Sequence, residues 1–217
     1  MNTLPFHFVV AAAVVACGGA SAPSVTAPSA APSSRYRVGD FVVYRYSGSF
    51  SAEPVTMREE VTAQEGLRLR IDVSVTRGAE SRRWVQIVTD TKENEANNVL
   101  DALYEWQGDK LVKLANEKNA DILRLSSWVM VEPDGHATDV AQSACKETVS
   151  GSEYACTCTD GKNQMKGAPI SFHASDCAAF LWTHASASFR DAGGKDVLRV
   201  EVVESGHRDR AAEPLAP

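Results

Sequence analysis

The sequence predicts a mainly β protein: a curved antiparallel sheet or half-open barrel of about 8 to 10 strands, with one short helix at most. Two observations carry this. Between Leu67 and Thr76 apolar and polar residues alternate without a break, and short Gly-containing turns separate segments rich in Val, Ile and aromatic residues. Successive side chains on a strand point to opposite sides, so such alternation builds one dry face and one wet face.

Tyr36 to Ser47 is dense in aromatic and β-branched residues and reads as the first strand, entered through a bend at Gly39-Asp40. Val55 to Ala63 follows, with Val55, Met57, Val61 and Ala63 on one face. Leu67, Leu69, Ile71, Val73 and Val75 then alternate with Arg68, Arg70, Asp72, Ser74 and Thr76. Gln64-Glu65-Gly66 joins this strand to the previous one. Arg77-Gly78-Ala79-Glu80 joins it to Arg82–Thr89, making an antiparallel meander. Asp90 to Asn98 is polar, a loop or one helical turn, and Val99–Trp106 and Lys110–Ala115 flank a Gln107-Gly108-Asp109 hairpin signature. Asn119 can cap a helix reaching Val129, yet residues 126–131 suit a strand equally, and the periodicity does not choose.

Glu132-Pro133-Asp134-Gly135 reads as a turn and the stretch to Ala144 as loop. Cys145–Val149 and Tyr154–Asp160 read as strands around Ser150-Gly151-Ser152-Glu153, and the last elements are Ala178–Phe189 and Asp196–Glu204. If Val149 pairs with Tyr154, Cys145 stands opposite Cys158 and Cys156 is left for Cys177. A two-residue slip puts Cys145 opposite Cys156 instead. Of the five cysteines, these four occupy one short stretch, an even number suited to disulfides in an oxidising compartment. A metal site is the rival, but Cys156-Thr-Cys158 lacks zinc-knuckle spacing, and His173 sits in no ligand pattern.

The N-terminus sets location. Phe6 to Ala16 is apolar but too short for a membrane-spanning helix, which needs about 20 residues. Val14-Val15-Ala16-Cys17 followed by Gly18 resembles the lipobox of bacterial lipoproteins. That resemblance implies cleavage before Cys17, lipidation of its thiol and acylation of the new amine with palmitate-type chains. Two or three such chains anchor a protein durably, whereas one binds only reversibly. The n-region MNTLPFHF departs from the pattern in having no Lys or Arg. The alternative is a cleavable signal ending near Ala20-Ser21-Ala22, which would discard Cys17. Gly18 lacks the acidic character that retains some lipoproteins at the inner membrane, so the resemblance points to the outer membrane.

The expected organisation is a signal peptide over 1–16, lipidated Cys17 with an Ala/Ser/Pro tether over 17–34, one β-rich domain over 35–207, and a disordered tail over 208–217. The net charge of −6 is spread along the chain with no basic patch, which excludes nucleic acid as an expected partner. Tyr36-Arg37-Val38-Gly39-Asp40 before a Tyr-rich strand, Gly108-Asp109 in a hairpin, and Val203-Glu204-Ser205-Gly206 ending a late strand resemble uncharacterised periplasmic β-rich lipoproteins. These are related in shape to the carriers that shuttle lipoproteins across the periplasm. The resemblance implies an apolar cavity and no catalysis.

Patterns for chemistry are sparse. Ser143-Ala144-Cys145-Lys146 matches Ser-x-x-Lys, but its companion Ser-Asp-Asn and Lys-Thr-Gly motifs are missing. His173 and His184 each begin a His-Ala-Ser tripeptide without a third partner fixed by sequence. Glu59 and Glu60 are strand neighbours, so they face opposite ways and read as solvated or salt-bridged. Trp84, Trp106, Trp128 and Trp182 read first as core and second as the lining of a groove. The expectation is a non-enzymatic, membrane-anchored protein without cofactor or metal, binding a hydrophobic ligand or an envelope protein. A scaffold subunit with no ligand is the alternative, and an enzyme with scattered site residues comes third.

Overall fold

The computed structural model describes residues 33–96, 99–114 and 134–215. Eleven strands form one antiparallel sheet: β1 (Asp40–Ser47), β2 (Val55–Glu65), β3 (Arg68–Arg77), β4 (Glu80–Thr89), β5 (Ala102–Gln107), β6 (Lys110–Lys113), β7 (Asp134–Val149), β8 (Ser152–Met165), β9 (Ala168–Asp176), β10 (His184–Asp191) and β11 (Asp196–His207). Among the described residues one short helix, α1 (Lys92–Ala96), interrupts them. The spatial order is β6-β5-β4-β3-β2-β1-β11-β10-β9-β8-β7, so the sheet is open and its first and last strands pair in the middle. The expectation of a mainly β, unclosed antiparallel sheet with one short helix is met.

The alternation read in β3 becomes the core. Leu69, Ile71, Val73 and Val75 lie on one face with Val42, Tyr44, Tyr46, Val55, Met57, Val61 and Trp84, all buried. Each such side chain stabilises the fold by about 1.5 to 3 kcal/mol. The opposite face is not simply wet. Val85, Ile87 and Ala102 form a second buried cluster with Tyr104 and Leu111 against it.

Arg70, on that opposite face, is only 5% exposed. Its guanidinium binds Asp72 at 3.0 Å, Glu213 at 2.9 Å and the Pro214 carbonyl at 3.1 Å. Residues 208–215 therefore do not fray as expected. Glu213 N–H donates to the Thr62 carbonyl, Arg210 pairs with Glu60, and Leu215 is buried. The charges that made this stretch look like a solvated tail are the groups that dock it.

The second half departs from expectation in three places. The stretch to Ala144, read as loop, belongs to the 16-residue strand β7. Its side chains from 138 to 144 are largely exposed, so no apolar period marks it. Strand β9 exposes Ala168, Pro169 and Ser171 and buries Ser175 along with Ile170 and Phe172, so residue type and burial do not keep step along it. Ala178 to Thr183, read as strand, is a loop before β10.

Finally, β7 and β8 meet through a two-residue turn, Ser150-Gly151, with φ of +50° and +82°. Positive φ at both central residues matches the right-handed twist of the strands. Val149 consequently pairs with Ser152 rather than Tyr154.

Candidate functional site

At one end of the sheet the β8–β9 turn, the start of β11 and the loop after β1 enclose an open cleft of about 330 Å³. Met165 and Ile170 form its buried floor, Phe50 and Val197 its half-buried walls, and Ala168, Lys166, Ser49 and Asp191 its rim. Ladder geometry sets this up. Met165 pairs with Ala168 across a turn of Lys166 and Gly167, which have φ of +50° and +76°. Ser49 and Phe50 donate backbone hydrogen bonds to the Asp196 and Val197 carbonyls. Gly48 must be glycine here, since its φ is +123° and a Cβ would sit 2.5 Å from the Val197 carbonyl oxygen. Apolar walls with a few polar groups at the rim are the usual composition of a ligand site.

The second feature is a titratable cluster around the β9–β10 loop. Glu59 points into the core face and is 7% exposed. Burial pushes its carboxyl up to about 7, against a hydrogen bond from the Trp182 indole and the nearby His184. Glu60 faces the other way; partial burial works against ionisation there, but hydrogen bonds from Arg58 and Arg210 hold it below the usual carboxylate range. The two glutamates do oppose each other across the strand. Glu59, however, is neither solvated nor salt-bridged, and no sequence pattern flags it.

His184 Nδ1 lies 2.7 Å from Asp176 Oδ1, which raises the imidazole pKa, while the histidine side chain is 70% exposed. Trp182 and Thr183 both adopt positive φ, +63° and +64°, a strained pair for bulky residues. Four ties hold them: the Trp182 N–H donates to Tyr36 Oη, Tyr44 Oη donates to the Leu181 carbonyl, Tyr36 and Trp182 rings meet edge-on at 5.4 Å, and Cys177 N–H donates to the Thr183 carbonyl. Burial pushes the Tyr36 phenol up to about 12, and also raises those of Tyr44 and Tyr46. Tyr36 and Tyr44 act as a clasp on the loop.

The four clustered cysteines form two disulfides, Cys145–Cys158 and Cys156–Cys177, with Cα separations of 5.8 and 4.3 Å. The pairing is the one expected from a Val149–Tyr154 register, but that register is not the one observed. Cys145 stands opposite Cys156, and its bond to Cys158 runs diagonally. Cys156 is drawn to the other side because Thr157 pairs with Asp176 on β9, placing Cys177 just beyond as its neighbour. Glu147, Cys158 and His173 bring potential ligand atoms within 4.8 Å of one another. The Cys158 sulfur is committed to a disulfide and offers no thiolate. His173 instead lies 2.8 Å from Asp160, and Glu147 accepts a hydrogen bond from Ser186. Ser143 and Lys146 lie on β7, an odd number of residues apart and so on opposite faces; Lys146 pairs with Glu153.

Of the tryptophans, Trp84 is core, Trp106 is half-buried under Arg83, and Trp182 belongs to the clasp. Cys17, Trp128 and the helix-or-strand question over residues 119–131 fall outside the described residues. Among the described residues, no helix is long and apolar enough to cross a membrane.

No family model matches the chain, and no curated protein matches it. Among solved structures, it is similar to MucB in complex with periplasmic MucA, with 8% identity and a TM-score of 0.45 over 81% of this chain and 52% of that one. The MucA/MucB complex of Pseudomonas aeruginosa gives 7% and 0.45, over 81% and 53%. A lipoprotein candidate from Parabacteroides distasonis gives 10% and 0.38, over 78% and 96%. The chain thus spans about half the length of the MucB chains. With identities and TM-scores this low, these likenesses assign neither family nor function.

Proposed function

We propose that this chain is a lipoprotein of the cell envelope, anchored through acylated Cys17 at the outer membrane, whose β domain is a non-catalytic binding module for a hydrophobic ligand. The observation that carries the binding role is the open cleft floored by Met165 and Ile170 and walled by Phe50 and Val197. Such a cleft exposes apolar surface that a folded chain otherwise buries. The lipobox supports the anchor. A binding role is favoured over an enzymatic one because Glu59, Tyr36 and Tyr44 are engaged in holding the Cys177–His184 loop. Of the two occupants expected from sequence, a small ligand suits a cleft of this size better than a protein segment.

A scaffold role is the second reading, favoured by β7. This edge strand pairs only with β8 among the described residues, and its Val140 is 52% exposed. Edge strands accept strands from partner chains.

Native mass spectrometry of the oxidised protein, purified from a periplasm without added ligand, tests the binding role. A co-purifying small adduct that is lost with Ile170→Asp supports it; a clean mass in both moves the search to β7. For the anchor, Cys17→Ser releases the protein from membranes. An unlipidated variant that stayed membrane-bound would sink that part.

A further inference from the structure

Asn163 is 6% exposed and lies on β8 two residues before Met165, hence on the same face. Its cross-strand partner is Ile170. Both neighbours floor the cleft, so the Asn163 side chain stands beside that floor, next to the cleft but not among the residues that line it. Its Oδ1 accepts a hydrogen bond from the Gln164 N–H at 2.7 Å. Because only an oxygen can accept there, this contact fixes the amide orientation. Its Nδ2 is then buried with no hydrogen-bond partner, alone in this among the described residues. Buried donors are nearly always paired, and an exception in a native fold calls for a missing acceptor.

We infer that the cleft takes a single short acyl chain whose carbonyl oxygen reaches Asn163 Nδ2, so that an acylated compound is the class of ligand. This rests on the reading of the cleft as the binding site. Three observations choose the class. The floor and walls are apolar, which suits a hydrocarbon chain. The unsatisfied group is a neutral donor, which asks for an acceptor oxygen. The rim carries Lys166 and Asp191, one charge of each sign, so charge selects neither an anionic nor a cationic head. The Asp191 carboxylate is moreover occupied by the Gly193 and Lys195 N–H groups, both at 2.9 Å.

Size limits the ligand. About 330 Å³ corresponds to roughly ten waters at their share of liquid volume, room for one chain and not for a lipid with several. Entry requires Met165 to swing aside, which its unbranched side chain allows.

The test is an NMR titration of the oxidised, 15N-labelled full chain with methyl octanoate and, separately, with octane. The expected result is at least tenfold tighter binding of the ester, with the Asn163 side-chain amide protons moving downfield and the Met165 methyl shifting. Asn163→Leu, close in volume, is expected to keep the fold, to melt no lower than the parent, and to bind the two compounds equally. Equal binding by the parent with an unmoved Asn163 amide overturns the acyl assignment while leaving the cleft as a binding site. No shift at Met165 or Ile170 with either compound overturns the assignment and the cleft reading together.

Discussion

The two wings of this sheet, β1–β6 and β7–β11, are held by different means. The first carries apolar cores on both faces, Leu69, Ile71, Val73 and Val75 on one side and Val85, Ile87 and Ala102 on the other, and has no cysteine. The second has a largely exposed edge strand and polar residues on much of β8, and it contains both disulfides. Both wings bury apolar side chains in one shared cluster, to which the second contributes Phe180, Leu181, Leu198 and Val202, but only the second adds cross-links that limit how far its unfolded chain can spread. A sheet can be continuous in hydrogen bonding and still divided in what stabilises it.

Reduction breaks the comparison most directly. The bridges close 13- and 21-residue separations, and each contributes about 3 kcal/mol. Reducing both lowers stability by about 6 kcal/mol, and hydrogen exchange then reports loss of protection in β7–β9 while β2–β4 stays protected. Uniform loss would show the wings to be one cooperative unit.

Ile71→Ala is next, costing about 3 to 4 kcal/mol by denaturant titration. Far from the bridges, its effect adds to that of reduction; strong coupling between the two would again join the wings.

The third prediction concerns pH. The native Glu59 carboxyl titrates at about 7 against an ordinary 4.5, so the folded state binds a proton that the unfolded state has lost. Stability from this group is therefore full below pH 4.5 and falls as pH rises to 7, by at most about 3 kcal/mol. His184, also raised, works in the same direction, weakened by solvent around an exposed ring. Glu59→Gln flattens the dependence in thermal melts between pH 5 and 8; an unchanged slope assigns it elsewhere.

The smallest effect is at the docked C-terminal stretch. Glu213→Ala costs about 1 to 2 kcal/mol, because Arg70 loses one carboxylate but keeps Asp72 and the Pro214 carbonyl. Proteolysis after Gly206 accelerates, whereas the exposure of β8 is unchanged.

The same division decides what could be read in advance. β2 and β3 were legible because one face of each is dry and a period of two survives in the residue types, and β4, buried on both faces from Trp84 to Val88, because a Gly-containing turn and β-branched residues mark it. β7 and β9 were not, because exposed or cross-linked positions accept Ser, Thr, Ala and Cys without regard to side. Glu59 and Asn163 carry polar names at buried positions, and composition treats both as surface. Their positions hold the remaining signal: Glu59 continues the parity of Val55 and Met57, and Asn163 that of Met165. The β7–β8 register is decided by Ser150-Gly151 as a two-residue turn, where the sequence reads as a four-residue turn from Ser150 to Glu153.

The central pairing of β1 with β11 has a consequence in time. Asp40 and His207 are ladder partners joined by a side-chain hydrogen bond, 167 residues apart in the chain. A chain that emerges in sequence order leaves β1 without its inner neighbour until the 167 residues to His207 have followed. Through that interval the first wing has a bare inner edge, Phe41 to Tyr46, rich in the residue types that aggregate. Nascent chains of this protein need a chaperone most between the completion of β6 and the arrival of Val197, and a truncation before β11 yields inclusion bodies rather than half a domain.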